Sequence, residues 1–333
     1  MGINEKVIEI QLFDQILKSV VECTHVISFP QDSGDLSGLA AARDEIDVLI
    51  CDESHRIRKT SNNWFTAKDS RSNLQQIEEI INASKVSVFF IDDKQSVRPN
   101  EIGTVQYIKE HAGDFKSNIY EYELDIQFRC SGSEGFVNWV NNTLGIERTA
   151  NVLLDKNDNF DFKIFSSPVG LEGAIKEKVG EGYSGRMTAG FCWQWSDPDQ
   201  FGNLKNDVVI GEFMRPWNAK PEAKRLSKDI PKAVLWAYDP NGINQVGCIY
   251  TAQGFEFDYV GVIFGNDLVY DFEKQEWASK PGNFADPIVK RAGDKLVDYL
   301  KSIYRVLLTR GLKGCYVYFM DKDTENFVKS RIE

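Results

Sequence analysis

Twice in its first hundred residues the chain runs through a short apolar stretch and stops on two carboxylates. Val48-Leu49-Ile50-Cys51 ends in Asp52-Glu53, and Val86-Ser87-Val88-Phe89-Phe90-Ile91 ends in Asp92-Asp93. Apolar runs of this length fit strands buried on both faces, as in a parallel sheet. Between them Leu74, Ile77, Ile80 and Ile81 recur at helical spacing. Strand, helix, strand is the unit of a doubly wound α/β fold. Its right-handed crossover brings both acid pairs to the C-terminal edge of one sheet, where such folds hold their ligands.

The same reading extends along the chain. Val7, Ile10, Phe13, Leu17 and Val20 predict an N-terminal helix lying against the sheet. Ser131 with Glu134 reads as a capping box, opening a helix through Phe136, Val137, Val140 and Leu144 that closes at Gly145. Residues 186–195, 208–213, 246–250, 259–264 and 315–319 read as strands. Leu296, Leu300, Ile303, Val306 and Leu307 mark a helical stripe. At about 150 residues per domain, 333 residues make roughly two. Composition does not shift sharply, so the boundary is placed in the polar stretch 113–118, giving α/β domains 1–118 and 119–333.

Fifty acidic residues against thirty-nine basic leave a net charge of -11. A chain whose whole surface gripped nucleic acid would carry the opposite sign, so any such contact has to run along a local basic track. No apolar run reaches the roughly 18 residues that span a bilayer, and the N-terminus does not lead into a signal-peptide core. Six scattered cysteines without a Cys-x-x-Cys pair read as reduced thiols of a cytoplasmic protein. His25, His55 and His111 lack zinc spacing.

Several residues could do chemistry. An aspartate at a buried strand's end, Asp52, can hold Mg²⁺ through its water shell, and the adjacent Glu53 can orient or deprotonate a water. The same dipeptide could equally be a strand end followed by a helix cap. Gln95, after the second acid pair, could sense a phosphate or sit in a solvated turn. Arg129 and Arg310, each beside an apolar segment, could neutralise phosphate oxygens or be surface charges. Residues 251–258, Thr-Ala-Gln-Gly-Phe-Glu-Phe-Asp, form a loop between two strands. Trp193, Trp195, Trp217 and Trp236 could stack on bases while Arg186, Arg215, Lys220, Lys224 and Arg225 contact phosphates; the competing reading packs the tryptophans into the second domain.

Taken in order, these segments resemble the motifs of superfamily 1 helicase-type motor ATPases. They look closest to a bacterial family of domains related to the helicase-like half of Schlafen proteins. The resemblance runs from Val48 to Phe319. Residues 48–56 resemble a Walker B motif, with Asp52 for Mg²⁺ and Glu53 for the attacking water. Residues 90–97 are similar to motif III, in which Gln95 would couple nucleotide state to domain movement. Residues 127–130 resemble motif IV, with Arg129 reaching phosphate. Residues 250–258 resemble motif V, bringing Gln253, Gly254 and Glu256 to the nucleotide. Residues 304–311 resemble motif VI, with Arg310 as arginine finger. Residues 189–195, Ala-Gly-Phe-Cys-Trp-Gln-Trp, match a segment typical of the narrower family. The resemblance implies two RecA-like parallel-sheet domains of P-loop NTPase type, an ATP and Mg²⁺ requirement, and single-stranded DNA or RNA as partner, with a protein partner also open.

One part of the pattern is missing. Such ATPases wrap their phosphates with Gly-x-x-x-x-Gly-Lys-Ser/Thr. None of the 25 glycines here is followed by lysine, and Ser33-Gly34-Asp35-Leu36-Ser37-Gly38 has the wrong spacing. The expectation is a helicase-like module whose first domain is truncated at its N-terminus, short of the phosphate-binding start, with weak or no ATP hydrolysis of its own. The alternatives are a non-enzymatic protein- or nucleic-acid-binding descendant, and a metal-dependent nuclease built on Asp52, Glu53, Asp92 and Asp93.

Overall fold

The computed structural model describes residues 43–62, 68, 71–123, 130, 133–155, 159–280, 282–287 and 289–332, together with the backbone of 24–28. The expected helix at 7–20 lies outside these residues. The chain divides into two units, Met1–Ser96 with Asn100–Tyr122, and Val97–Pro99 with Glu123–Glu333.

In the first unit, strands β1 (Thr24–Ser28), β2 (Ile46–Asp52) and β3 (Ser84–Phe89) form a parallel sheet in the order β1-β2-β3. Helix α1 (Gln76–Ala83) makes the crossover from β2 to β3. It starts after Leu74, because Gln75 caps it through a reciprocal bond in which the Gln75 amide donates to Glu78 (2.7 Å). Leu74 is therefore exposed, while Ile77 and Ile80 are buried with Leu49, Cys51 and Ile57. Burial pushes the Cys51 thiol up to about 12, as expected of an inert core cysteine. Helix α2 (Val105–Asp114) follows, capped by the Thr104 hydroxyl, which accepts from the Tyr107 amide (3.0 Å).

The second unit opens with α3 (Glu134–Thr143). Its cap is Ser133, whose hydroxyl accepts from the Phe136 amide (2.9 Å), not the Ser131 read from sequence. Gly145, at φ 64°, follows the helix end as expected. Then come β4 (Asp161–Phe165), α4 (Pro168–Gly180), β5 (Gly185–Ala189), β6 (Val208–Ile210), β7 (Phe213–Arg215), β8 (Val246–Gly247), α5 (Ile249–Ala252) and β9 (Phe257–Phe264). Strands β10 (Leu268–Asp271) and β11 (Glu276–Ser279), helix α6 (Leu296–Leu308), β12 (Gly311–Phe319) and α7 (Lys322–Lys329) complete the unit.

Five of these strands form a wholly parallel sheet in the order β4-β12-β9-β5-β8. Central β9 is buried along most of its length, consistent with its apolar run from Tyr259 to Phe264. One of its faces meets Ile175 of α4 at Gly261; the other stacks Phe264 on Tyr304 of α6, ring centroids 3.7 Å apart. Three sequence expectations change. The strand read over 186–195 ends at Ala189, where the Cys192 amide turns back on the Gly190 carbonyl (2.8 Å). The strand at 208–213 is a hairpin, Ile210 pairing with Phe213 across Gly211 at φ 57°. The strand at 246–250 stops at Gly247, and its last residues begin α5.

The 189–195 segment enters a buried cluster beyond the ends of β5 and β9. The Tyr304 hydroxyl donates to Asp267 Oδ1 (2.5 Å) and accepts from the Gly265 amide (2.8 Å); the Leu268 amide also reaches Oδ1 (3.1 Å). The Cys192 thiol is the other titratable group facing this carboxyl. Burial holds Asp267 above the ordinary carboxylate range, outweighing the hydroxyl, thiol and amides that favour its ionised form. Between the unfolded value of about 3.9 and this raised value, the folded chain binds more protons than the unfolded one. Stability therefore falls as pH rises through that window. Asp267→Asn, which keeps an acceptor for Tyr304, is expected to unfold at a higher temperature than wild type at pH 7 and to converge with it near pH 4. Calorimetric melts across that range check this.

Candidate functional site: two sheet edges

The first unit's C-terminal sheet edge carries both acid pairs, as the crossover requires. Asp52 ends β2 with an exposed side chain, one oxygen (Oδ1) accepting from the Glu53 amide (2.9 Å). Glu53 sits in the left-handed region at φ 54°, a conformation costing a non-glycine residue on the order of 1 kcal/mol. The short 3-10 turn Ser54–Arg56 holds it there. The Ser54 amide donates to the Phe90 carbonyl beyond β3 (2.9 Å), and its hydroxyl donates to the Cys51 carbonyl (2.7 Å). The Glu53 carboxylate meets buried His55, Nε2 to Oε2 3.2 Å, with Arg56 Nε at 4.0 Å.

The second acid pair has a different job. Asp92 Oδ1 accepts from the Lys94 amide (2.9 Å), and Oδ2 accepts from the Gln95 side chain (3.0 Å), fixing buried Gln95 on the turn Asp93–Gln95. Asp93 Oδ1 accepts from the Val105 amide at the start of α2 (3.0 Å). Both carboxylates are thus engaged as local braces. Among the described residues no three His, Cys, Asp or Glu side chains gather as a metal-holding group. The nuclease arrangement finds no support in this geometry.

Sequence reasoning passed over His55 and Gly103. His55 stood next to the acid pair, and that adjacency was its only signal. Gly103 had none. A Cβ there would lie 2.0 Å from the Ser54 carbonyl oxygen, so only glycine lets this loop close over the turn that holds Glu53.

In the second unit the motif V-like and motif VI-like residues share the N-terminal sheet edge. Gln253 caps α5, its amide donating to the Ile249 carbonyl (2.9 Å), with its side chain buried. Gly254, at φ 92°, and Glu256 are exposed. The Phe257 amide then donates to the Arg310 carbonyl (3.0 Å), and Phe257 pairs with Gly311 in the β9–β12 register. Arg310 is buried, its Nε on the Val306 carbonyl (3.2 Å) at the end of α6, where helix carbonyls favour a cation. Gln253, Gly254, Glu256 and Arg310 are therefore neighbours on one edge. Arg129 lies outside the described residues.

The proposed base-stacking tryptophans are not free. Trp217 and Trp236 are buried, and Trp193 and Trp195 donate to the Val209 (3.2 Å) and Asn218 (2.8 Å) carbonyls. Phe191 stacks on Trp217 at 5.7 Å. Arg186 is likewise internal, holding the Trp236 (2.9 Å) and Asp239 (2.7 Å) carbonyls. Arg215 grips Glu172 through two bonds of 2.6 Å, and Lys220 pairs with Asp197 at 2.9 Å. Burial opposes ionisation of Glu172, but Arg215 and Lys176 outweigh it and hold its carboxyl below the usual range. Lys224 and Arg225 remain exposed. Among the described residues no helix is long and apolar enough to cross a membrane.

Two parallel-sheet units with their motif residues on sheet edges define two RecA-like α/β domains of P-loop NTPase type. The chain belongs to the Schlafen group 3 DNA/RNA helicase domain family, which it matches over residues 5–321. The Saccharomyces cerevisiae "uncharacterized protein YPL245W" is 26% identical over 307 residues, 83% of this chain. The chain spans 63% of that protein's length. Among solved structures, S. cerevisiae Dbp5 bound to RNA and ADP-BeF3 aligns with 86% of the chain and 57% of its own, at 12% identity and a TM-score of 0.24. A Dbp5 variant bound to Nup159, Gle1, IP6 and ADP aligns over 86% and 56% at 11% identity and 0.26. Scores this low carry no argument here.

Gly103→Ala is expected to cost the first unit about 1–3 kcal/mol, because backbone rather than a flexible side chain must give way. Gly113→Ala, with open space around its Cβ, is expected to be neutral or stabilising by up to about 1 kcal/mol. Equilibrium urea unfolding of the two variants measures the difference.

Proposed function

We propose that this chain is the helicase-like module of an ATP-dependent, nucleic-acid-acting protein, with weak or no ATP turnover of its own. The single observation that carries the reading is the strained Glu53. A left-handed glutamate directly after an exposed strand-end aspartate, braced by His55, suits a group that must aim at a water. In this reading the exposed Asp52 carboxylate offers an oxygen to the hydration shell of Mg²⁺, which would supply charge neutralisation on the phosphates. Glu53 orients the water. Gln95, fixed by Asp92, answers to nucleotide state, while Glu256 faces ribose. Arg310 and Arg129 supply positive charge to phosphate oxygens.

The residues fit the metal end of such a ligand better than its phosphate end. The sequence holds no Gly-x-x-x-x-Gly-Lys-Ser/Thr, so the amides and ammonium that cradle β- and γ-phosphates are not provided. A binding module without turnover would use the same surfaces and differ only in chemistry. Purified chain is expected to show no Mg²⁺-dependent phosphate release above background, with Glu53→Gln indistinguishable from wild type. Turnover that vanishes in Glu53→Gln would contradict the expected inactivity.

A further inference from the structure

The connection between β5 and β8, residues 190–245, is far longer than the few residues that usually join such elements, and long ordered loops are commonly functional. Its foundation is the aromatic layer of Phe191, Trp195 and Trp217 with the β6–β7 hairpin. Its outer part differs from the rest of the chain in charge. Residues 220–232 hold five cations and two acids, Glu222 and Asp229, in a protein of net charge -11. Lys220 is paired with Asp197, while Lys224, Arg225, Lys228 and Lys232 are exposed. Among the described residues Lys224, Lys228 and Lys232 form no ion pair.

An exposed aromatic is fastened to this stretch. Phe201 is 64% exposed at the tip of the turn Asp199–Asn203. The Asp199 carboxylate accepts from the amides of Phe201 and Asn203, both at 2.8 Å, so its charge is taken up inside the turn. The turn is joined to the basic stretch by two bonds. The Ser227 amide donates to the Gly202 carbonyl (2.9 Å), and Arg225 Nη1 donates to the Gln200 carbonyl (3.2 Å). Gly202, at φ 88°, allows the approach: a Cβ there would lie 2.8 Å from the backbone at Leu226 and Ser227. The turn that carries the ring is thus held against Arg225–Ser227 by one backbone and one side-chain bond, next in sequence to Lys224 and Lys228, and among the described residues no other ring stacks on Phe201.

We infer that this loop is a contact track for single-stranded nucleic acid, with Phe201 as a base-stacking platform and Lys224, Arg225 and Lys228 as phosphate contacts. A ring that stacks on any base, flanked by cations that follow the backbone, is the chemistry by which single strands are held without sequence preference. The inference rests on the nucleic-acid-acting reading above and places its contact on a loop outside the helicase-like motifs.

Fluorescence anisotropy with labelled twenty-nucleotide oligo-dT and oligo-U, titrated in 50–200 mM salt, tests both levels. Wild type is expected to bind, and Phe201→Ala to bind about tenfold more weakly, while Phe201→Trp restores affinity. Lys224→Ala with Lys228→Ala is expected to lower the slope of log affinity against log salt by about 1.4. Phe272→Ala, another half-exposed ring on the β10–β11 turn, is expected to change nothing. Thermal melts confirm that each variant folds. If wild type binds and the Phe201 and lysine variants bind equally well, the track is overturned and the broader reading stands. If wild type binds neither oligonucleotide at low salt, both fall.

Discussion

The register of β9 on β12 is the constraint on which the second unit depends. Parallel strands beginning at the same level bring the loop before one beside the loop before the other. The bond from the Phe257 amide to the Arg310 carbonyl closes that arrangement. Gly254 and Glu256 thereby share one edge with Arg310, more than fifty residues further along the chain. Helix α6 also delivers Tyr304 to the far end of β9, where it stacks on Phe264 and holds Asp267. One helix therefore serves both ends of the sheet, and a shift in its register would move both.

The first unit shows how like residues acquire unlike roles. Both acid pairs follow neighbouring parallel strands of one sheet, yet the second pair's carboxylates brace the chain beyond them, whereas Asp52 reaches only the next amide. After β2 the chain bends through a strained glutamate into a turn, stabilised by bonds that cross to the end of β3. After β3 the aspartates brace Gln95 and the start of α2. The strain at Glu53 persists because Ser54 is bonded on two sides and covered by Gly103. Such over-determination is what keeps a costly backbone conformation in place.

Charge is distributed with similar economy. Arg186 and Arg215 hold internal carbonyls or a nearly buried glutamate and contribute little outward field. Four exposed cations fall within residues 224–232 against a single acid, so the net charge of -11 says little about this one surface. The tryptophans are inward too: Trp217 and Trp236 are buried, while half-buried Trp193 and Trp195 keep their ring N–H groups bonded to backbone carbonyls. Their solvent-facing counterpart is Phe201, which composition alone could not single out.

Apolar runs were enough to read β2, β3, β9 and β12, and helical spacing the crossover helix α1 and the stripe of α6; β1 and β4 went unread, and β3 is not buried on both faces as expected, Val86 being half-exposed. The order of Asp52-Glu53, Gln95, Gln253-Gly254 and Arg310 was enough to read a Schlafen-like, helicase-related relationship. Periodicity misplaced the segments at 190–195 and 248–250, where the chain stays apolar after leaving the sheet to build the aromatic layer and α5, and missed the turn at 211–212. It could not see Gly103 or Gly202, whose value is the space their missing side chains leave for distant backbone. By itself the sequence determined which residues would end strands and which runs would form the second unit's core, since local pattern encodes burial where a strand is covered on both faces. Only tertiary structure decided which arginine, tryptophan or aspartate would be outward, because that depends on partners far away in the chain.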